Sequence, residues 1–322
     1  MIKVGIIGGA GYTAGELIRI LIYHPNVKIE FINSTSNAGN LITAVHSGLI
    51  GETDLVFTDE LPLDSVDVLF LCSAHGDSKK FLDSNPVPEN VKIIDLSTDY
   101  RHKREGNDFV YGLPELNREA IKSAQHLANP GCFATAIQLA ILPLAAAGLL
   151  KDDVHINAIT GSTGAGVKPS TTSHFSWRNN NISVYKAFEH QHLKEIFQSV
   201  HQLQADYGKE LNFIPVRGNF ARGIFATVYT KCDLSQEEAE KLYQDFYKDA
   251  AFTFVVSENP DMKQVVNTNK AVVYVEKHGE NLLIISAIDN LLKGASGQAV
   301  ENMNLMFGLE PKVGLNLKPI GF

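Results

Sequence analysis

The opening stretch, MIKVGIIGGAGYTAGEL, constrains this chain more than any other segment. A continuous apolar run, Lys3–Gly8 (KVGIIG), leads directly into glycines and then into helical spacing. A short Val- and Ile-rich run without polar alternation reads as a strand covered on both faces. Gly8, Gly11 and the small Ala14 let the backbone turn tightly and open a helix. Bare amides and the positive end of a helix dipole at such a turn can approach a pyrophosphate closely. Strand, glycine turn and helix in that order give the glycines this meaning, where a glycine pattern alone would not.

The same texture continues. Val27–Asn33 (VKIEFIN), Val66–Cys72 (VDVLFLC), Val91–Ser97 (VKIIDLS) and the short His126–Asn129 are further apolar runs separated by helical stretches. They predict a doubly wound α/β domain with a parallel sheet. Past residue 150 the pattern changes. Val154–Gly161 and Gly223–Asp233 read as strands, and Ala271–His278 and Asn281–Ile288 flank a Gly-Glu pair as an antiparallel hairpin. Ser235 followed by Glu238 forms a capping box that opens an amphipathic helix through about Ala250. This predicts an α+β domain on a mostly antiparallel sheet. Gly294–Phe307 reads as a helix whose apolar face needs a partner, which a return to the first domain supplies.

A length of 322 residues suits two domains, and 44% apolar with 20% charged residues suits a soluble globular chain. No run approaches the roughly 20 apolar residues of a membrane span. The N-terminus lacks the charged region and cleavage site of a signal peptide, so a cytoplasmic location is expected. The formal net charge of −8 argues against general nucleic-acid affinity. Three widely spaced cysteines form no disulfide framework and show no metal-ligand spacing.

One cysteine has a distinctive setting. In Asn129-Pro130-Gly131-Cys132-Phe133-Ala134, a turn precedes Cys132 and helical apolar spacing begins directly after it. A thiol at a helix N-terminus ionises more readily and makes a good nucleophile. From the residues alone, a nucleophile and a buried structural thiol stay equally open. Cys72 and Cys232 lie in strands and read as packing residues. His190-Gln191-His192 precedes LKEIFQSVHQL, which places the pair at a helix start; alone, two of eleven histidines carry little weight. The turns Gly161–Gly166 and Lys293–Gly297 either approach a ligand or simply reverse the chain. After the second strand stand Asn33-Ser34-Thr35-Ser36-Asn37, where an NAD site usually carries a carboxylate on the ribose. Hydroxyls without a carboxylate favour NADP.

GGAGYTAGEL, DLSTDYR (Asp95–Arg101), YGLPE (Tyr111–Glu115), NPGCFATA, TGSTGAG, EHQHLKEI, ARGIFATVY and NLLKGASGQAVENMN (Asn290–Asn304) together resemble the N-acetyl-γ-glutamyl-phosphate reductase family. That arginine-biosynthesis family is similar to aspartate-semialdehyde dehydrogenase in fold and chemistry. The resemblance runs in order from residue 5 to residue 304. It implies a Cys132 nucleophile, with His190 as acid–base group and His192 as the second candidate. It implies NADP(H) contacts from Gly8, Gly11, Tyr12, Thr13, Ser34, Thr35, Ser36, His75, Gly164 and Asn290, and substrate contacts from Arg101, Asn129, Arg222 and Glu195. It also implies residues 1–131 and 290–322 as the NADP-binding domain and 132–289 as the catalytic domain, with assembly into a homodimer or homotetramer. No metal, nucleic acid or membrane is implied.

The chain departs from the family at Phe133-Ala134 (usually Tyr-Pro), Gln191 (Arg), Lys194 (Pro) and in Phe213–Arg222, where Val216 and Arg217 replace His-Leu. Lys194 and Arg217 add positive charge where the substrate is expected, which would favour an acidic acyl group such as succinyl. The alternatives are therefore N-succinyl-glutamyl phosphate or aspartyl phosphate as substrate. A nucleotide-sensing binding protein is the reading outside enzymes, and it leaves Cys132 and the histidines without a use.

Overall fold

The computed structural model describes residues 1–321. The chain forms two units, Met1–Pro130 with Ala295–Asn316, and Gly131–Gly294 with the described residues from Leu317 onward.

In the first unit the chain runs β1 (Ile2–Ile7), α1 (Tyr12–Leu21), β2 (Val27–Asn33), β3 (Val68–Leu71), α2 (Asp77–Ser84), β4 (Lys92–Asp95), β5 (Val110–Tyr111), α3 (Pro114–Lys122) and β6 (His126–Ala128). The six strands lie in the order β2-β1-β3-β4-β6-β5, every pair parallel. All of β3 and the last four residues of β1 are buried, which is why these runs lack polar alternation. The chain leaves β1 toward β2 on one side and returns with β3 on the other. A crevice at the strand C-termini is expected at such a reversal. Gly8 and Cys72 directly follow the two strands concerned.

The second unit contains α4 (Cys132–Ala146), β7 (Val154–Thr160), α5 (Phe175–Arg178), β8 (Ser183–Val184), α6 (Leu193–Leu203), β9 (Leu211–Arg217), β10 (Ile224–Lys231), α7 (Gln236–Tyr247), β11 (Thr253–Val255), β12 (Ala271–His278) and β13 (Asn281–Ile288). Its seven-stranded sheet has the order β11-β12-β13-β10-β7-β9-β8. The pairs β7–β9 and β11–β12 are parallel and the rest antiparallel. In β10, Ile224, Ala226, Val228 and Thr230 point inward and alternate with more exposed positions, as the sequence alternation requires. Helix α4 is buried from Phe133 through Ala145, so it is apolar all round. It packs against α6, α7 and the sheet. Tyr243 and Tyr247 on α7 donate to the carbonyls of Ala140 and Leu139 at 2.5 and 2.6 Å. The capping box at Ser235 and Glu238 is present in both directions.

Helix α8 (Gly297–Met306) is buried at every residue and belongs to the first unit, where it packs on α1 and α3. His24 and Asn304 share a 3.0 Å hydrogen bond, and Asn302 donates to the Gly112 carbonyl at 2.8 Å. The division falls a few residues from the expected limits. Residues 290–294 stay with the second unit because Asn290 and Gly294 bond to Gly223 and Asp289 there. Asn267 likewise donates to the Lys318 carbonyl at 3.0 Å, tying the tail to the second unit. Among the described residues no helix is long and apolar enough to cross a membrane.

Candidate active site

The glycine turn of the first unit divides its glycines by cause. Gly8 has φ +76°, and a Cβ there would lie 3.0 Å from the Cys72 carbonyl, so the fold itself demands glycine. Gly11 meets nothing nearer than 3.7 Å, so packing does not demand it. Its bare backbone, capping α1, suits close approach by an anionic ligand. Tyr12 is exposed, and the Thr13 carbonyl accepts from Ser296 Oγ at 2.7 Å. His46 Nε2 donates to the Gly9 carbonyl at 2.7 Å while its ring fills the space over Gly15. Nothing in the sequence pattern pointed to that histidine.

After β2, Ser34 is buried and accepts from Asn37 Nδ2 at 3.0 Å, whereas Thr35 and Ser36 are exposed. His75 is exposed in the loop after β3. Burial pushes the Cys72 thiol up to about 12, with a Thr13 hydrogen bond opposing it. That thiol is inert at neutral pH. Arg101 and Asn129 also lie in this unit. Arg101 donates to the carbonyls of Asn129 (2.8 Å) and Leu96 (2.9 Å), and Asn129 bonds to Ala295 and Asn302. These contacts hold the ends of β4 and β6.

The second unit holds the candidate nucleophile. Cys132 is the first residue of α4 and is half-buried. The N–H of Gly131 donates to Glu195 Oε2 at 3.0 Å, and Glu195 Oε1 stands 3.8 Å from His192 Nε2. A buried carboxylate thus links the residue before the thiol to an imidazole. The His192 backbone N–H donates to His190 Nδ1 at 3.3 Å, so a neutral His190 carries its proton on Nε2. Phe133 meets His190 and Phe213 edge-on at 5.5 and 5.2 Å, and Tyr185 meets His190 at 5.8 Å. Burial among these rings pushes His190 down to about 4; Lys186 and Arg217 add to this and Glu195 opposes it. Burial and the negative charge of Cys132 push Tyr185 up to about 12, while the Arg217 guanidinium works the other way.

The depressed His190 has a consequence for stability. Its ordinary value is 6.5, so the unfolded chain takes the proton first as pH falls. The stability from its neutral burial is complete above about pH 6.5 and is lost as pH falls toward about 4. Urea midpoints should therefore drop less between pH 7 and pH 4.5 in His190→Asn than in the wild type. Parallel losses in the two proteins would refute this.

The turn Asp289–Gly294 lies against the thiol. A Cβ on Gly294 would sit 2.8 Å from Cys132 Cβ and 3.2 Å from the Asp289 carbonyl. Asp289 is buried and pairs with Arg222 Nη2 at 3.0 Å, and it also accepts from the amides of Asn267 and Leu291. Asn290 accepts from the Gly223 N–H at 2.7 Å and donates to Thr163 Oγ1 at 3.0 Å, beside Gly164. Gly164, Arg222 and Asn290 are thus brought together. Of the two basic departures, Lys194 is exposed on α6, and only Arg217 joins the rings around Cys132. The sequence reading missed Tyr185, which lies in a stretch without periodicity, and the contact of Gly294 with Cys132. The small-residue turn at Lys293–Gly297 was the one available signal for the latter.

Residues 3–124 match the semialdehyde dehydrogenase NAD binding domain, and residues 132–290 match the semialdehyde dehydrogenase dimerisation domain. N-acetyl-γ-glutamyl-phosphate reductases of Phocaeicola vulgatus and Bacteroides thetaiotaomicron are 68% and 66% identical over 322 residues, covering 100% of each chain. That of Flavobacterium johnsoniae is 60% identical, again over 100% of each. Among solved structures, aspartate semialdehyde dehydrogenase II of Vibrio cholerae, complexed with ASA, aligns at a TM-score of 0.74 and 15% identity, covering 96% of this chain and 98% of that one. The Candida albicans enzyme with NADP aligns at 0.71 and 14% identity, covering 95% and 98%. At these identities the solved structures show the shared fold. The full-length relatives show more, and by them this chain, an oxidoreductase with a nicotinamide-dinucleotide domain, belongs to the N-acetyl-γ-glutamyl-phosphate reductase family.

Proposed function

We propose that the chain reduces an N-acyl-γ-glutamyl phosphate, with acetyl as the acyl group and NADPH as reductant, to the N-acyl-glutamate semialdehyde and phosphate in arginine biosynthesis. The observation that carries this reading is Cys132 at the start of α4, between Gly131, whose amide bonds the Glu195 carboxylate of a Glu195–His192 pair, and Phe133, whose ring packs on a neutral His190.

The Cys132 thiolate adds to the γ-acyl carbon, and the tetrahedral oxyanion expels phosphate to leave a thioester on Sγ. The first amides of α4 lack intrahelical acceptors and favour negative charge at that end. His190, neutral and protonated on Nε2, donates to the acyl oxygen as charge develops there. When bound, a reduced nicotinamide dinucleotide supplies the hydride for the thioester carbon. Breaking the carbon–sulfur bond then returns the electron pair to Sγ and frees the aldehyde. His192, opposite Glu195, is the second proton carrier. Gly294 leaves the thiol room to turn between attack and release.

The residues fit the dinucleotide. Gly11 is bare without a packing reason, and the exposed hydroxyls of Thr35 and Ser36 follow β2 in a stretch without a carboxylate. This supports NADP over NAD. A charge introduced by Ser36→Asp should weaken NADPH binding about tenfold by repelling a 2′-phosphate, and change NADH binding much less. Fluorescence titration decides it; tighter binding of NADH than NADPH by the wild type would reverse the preference. The description of residues 132–290 as a dimerisation domain supports a homodimer or homotetramer, testable by light scattering. Phosphate-dependent oxidation of N-acetyl-glutamate semialdehyde with NADP tests the whole reading. Turnover of aspartate semialdehyde alone would replace it with an aspartyl-phosphate reductase.

A further inference from the structure

Arg217 is a half-buried cation without an anion of its own. It ends β9 opposite Ser183 of β8, and its carbonyl accepts from Arg178 Nη1 at 2.8 Å. Its guanidinium carbon lies 4.6 Å from the centroid of the Tyr185 ring, and its Nε is buried without an acceptor. Tyr185 in turn packs on His190 and senses the charge of Cys132, so the guanidinium belongs to the thiol's surroundings. Among the described residues no carboxylate pairs with Arg217, whereas Arg222 has Asp289.

The neighbouring cation does not help. Arg178 is buried and donates to neutral acceptors, the carbonyls of Thr172, Asn181 and Arg217 and the Ser183 hydroxyl. Lys186 acts on the same imidazole with the same sign. Withdrawing a guanidinium from water beside other cations is unfavourable unless an anion arrives. The Tyr185 ring and hydroxyl are neutral partners, so stacking and hydrogen bonding there leave the positive charge unanswered. The planar fork of an arginine is suited to two parallel bonds with a carboxylate.

We propose that Arg217 is a specificity-determining residue that binds a carboxylate of the substrate, beyond the acyl phosphate that reacts at Cys132. The inference rests on the reductase reading given above. Two parts of an N-acyl-glutamyl substrate can supply that carboxylate: the α-carboxylate of the glutamyl part, or the far end of a dicarboxylic acyl group such as succinyl.

The test compares wild type, Arg217→Met and Arg217→Lys in phosphate-dependent oxidation with NADP. Four semialdehydes serve as substrates: N-acetyl-glutamate semialdehyde, its α-carboxamide, N-succinyl-glutamate semialdehyde, and the latter with its succinyl carboxylate converted to an amide. Arg217→Met should raise KM roughly 10–100-fold for the acid that Arg217 binds, with kcat within a few-fold. It should leave the matching amide within about twofold, and Arg217→Lys, which keeps stem and charge, should recover part of the loss. A loss on the three substrates that carry the α-carboxylate, with the α-carboxamide spared, identifies the α-carboxylate; a loss on N-succinyl-glutamate semialdehyde alone identifies the acyl group. Equal losses on all four substrates would make Arg217 a packing residue and overturn the proposal. So would no loss at all, or a raised KM for phosphate alone. A wild type inactive on all four substrates would refute the reductase reading itself, and this inference with it.

Discussion

Cys132→Ser should lower turnover by roughly 10⁴-fold or more while NADPH binds as before. The substitution changes one atom at the head of α4 and leaves the Gly131–Glu195 bond and the Phe133 contacts in place. What it removes is ionisation. A serine hydroxyl stays protonated near neutral pH, and the helix terminus cannot make up the difference. Cofactor affinity should hold because the Gly8–Thr13 turn belongs to the first unit. Iodoacetamide should modify Cys132 ahead of Cys72, whose thiol is pushed up to about 12, and ahead of Cys232, which is buried. A serine variant retaining more than about a hundredth of wild-type kcat would end the covalent mechanism.

His190→Asn should lower kcat on the order of 10²–10⁴-fold with a modest change in KM. Asparagine keeps polarity and much of the volume, but its amide cannot hold an N–H where the imidazole Nε2 points. His192→Asn should cost less, because that ring faces Glu195 at 3.8 Å. Since His190 titrates at about 4, the wild-type profile of kcat/KM should carry no inflection from it between pH 5 and 8. The reverse ordering of the two variants would reassign the proton transfer to His192.

Much of the architecture was legible because its cause is local. The runs that became β1, β3 and β4 are apolar without alternation, since helices cover both faces of the sheet. The β12–β13 hairpin and the Ser235 cap announce themselves through turn and capping chemistry. Other elements depend on partners remote in sequence. β5 and β8 are two residues each and exist only where β6 and β9 pair with them. β9 carries Pro215, which argues against a strand, yet β8 pairs only with the Val216 and Arg217 beyond it.

The site divides in the same way. Cys132 is visible because a turn and a helix start are local events. The engagement of Arg222 by Asp289 and the absence, among the described residues, of any such carboxylate for Arg217 are facts of packing. From sequence the two arginines look alike, and only the fold shows that one of them has its charge answered. Resemblance proposed Glu195 as a substrate contact; the bond visible in the fold is to the Gly131 amide, which explains its burial and crosses from α6 to the head of α4.

The placement of α8 bears on how the chain is made. This fully buried helix completes the first unit on α1 and α3, yet the whole of Gly131–Gly294 precedes it. A ribosome adding about 5–20 residues per second leaves those docking faces bare for roughly 10–30 s after β6 emerges. The second unit, almost contiguous, has nearly all its parts by the time Ala295 is added. The nascent chain therefore finishes its later half first and its earlier half last, holding an open apolar groove for an aggregation partner or a chaperone to find.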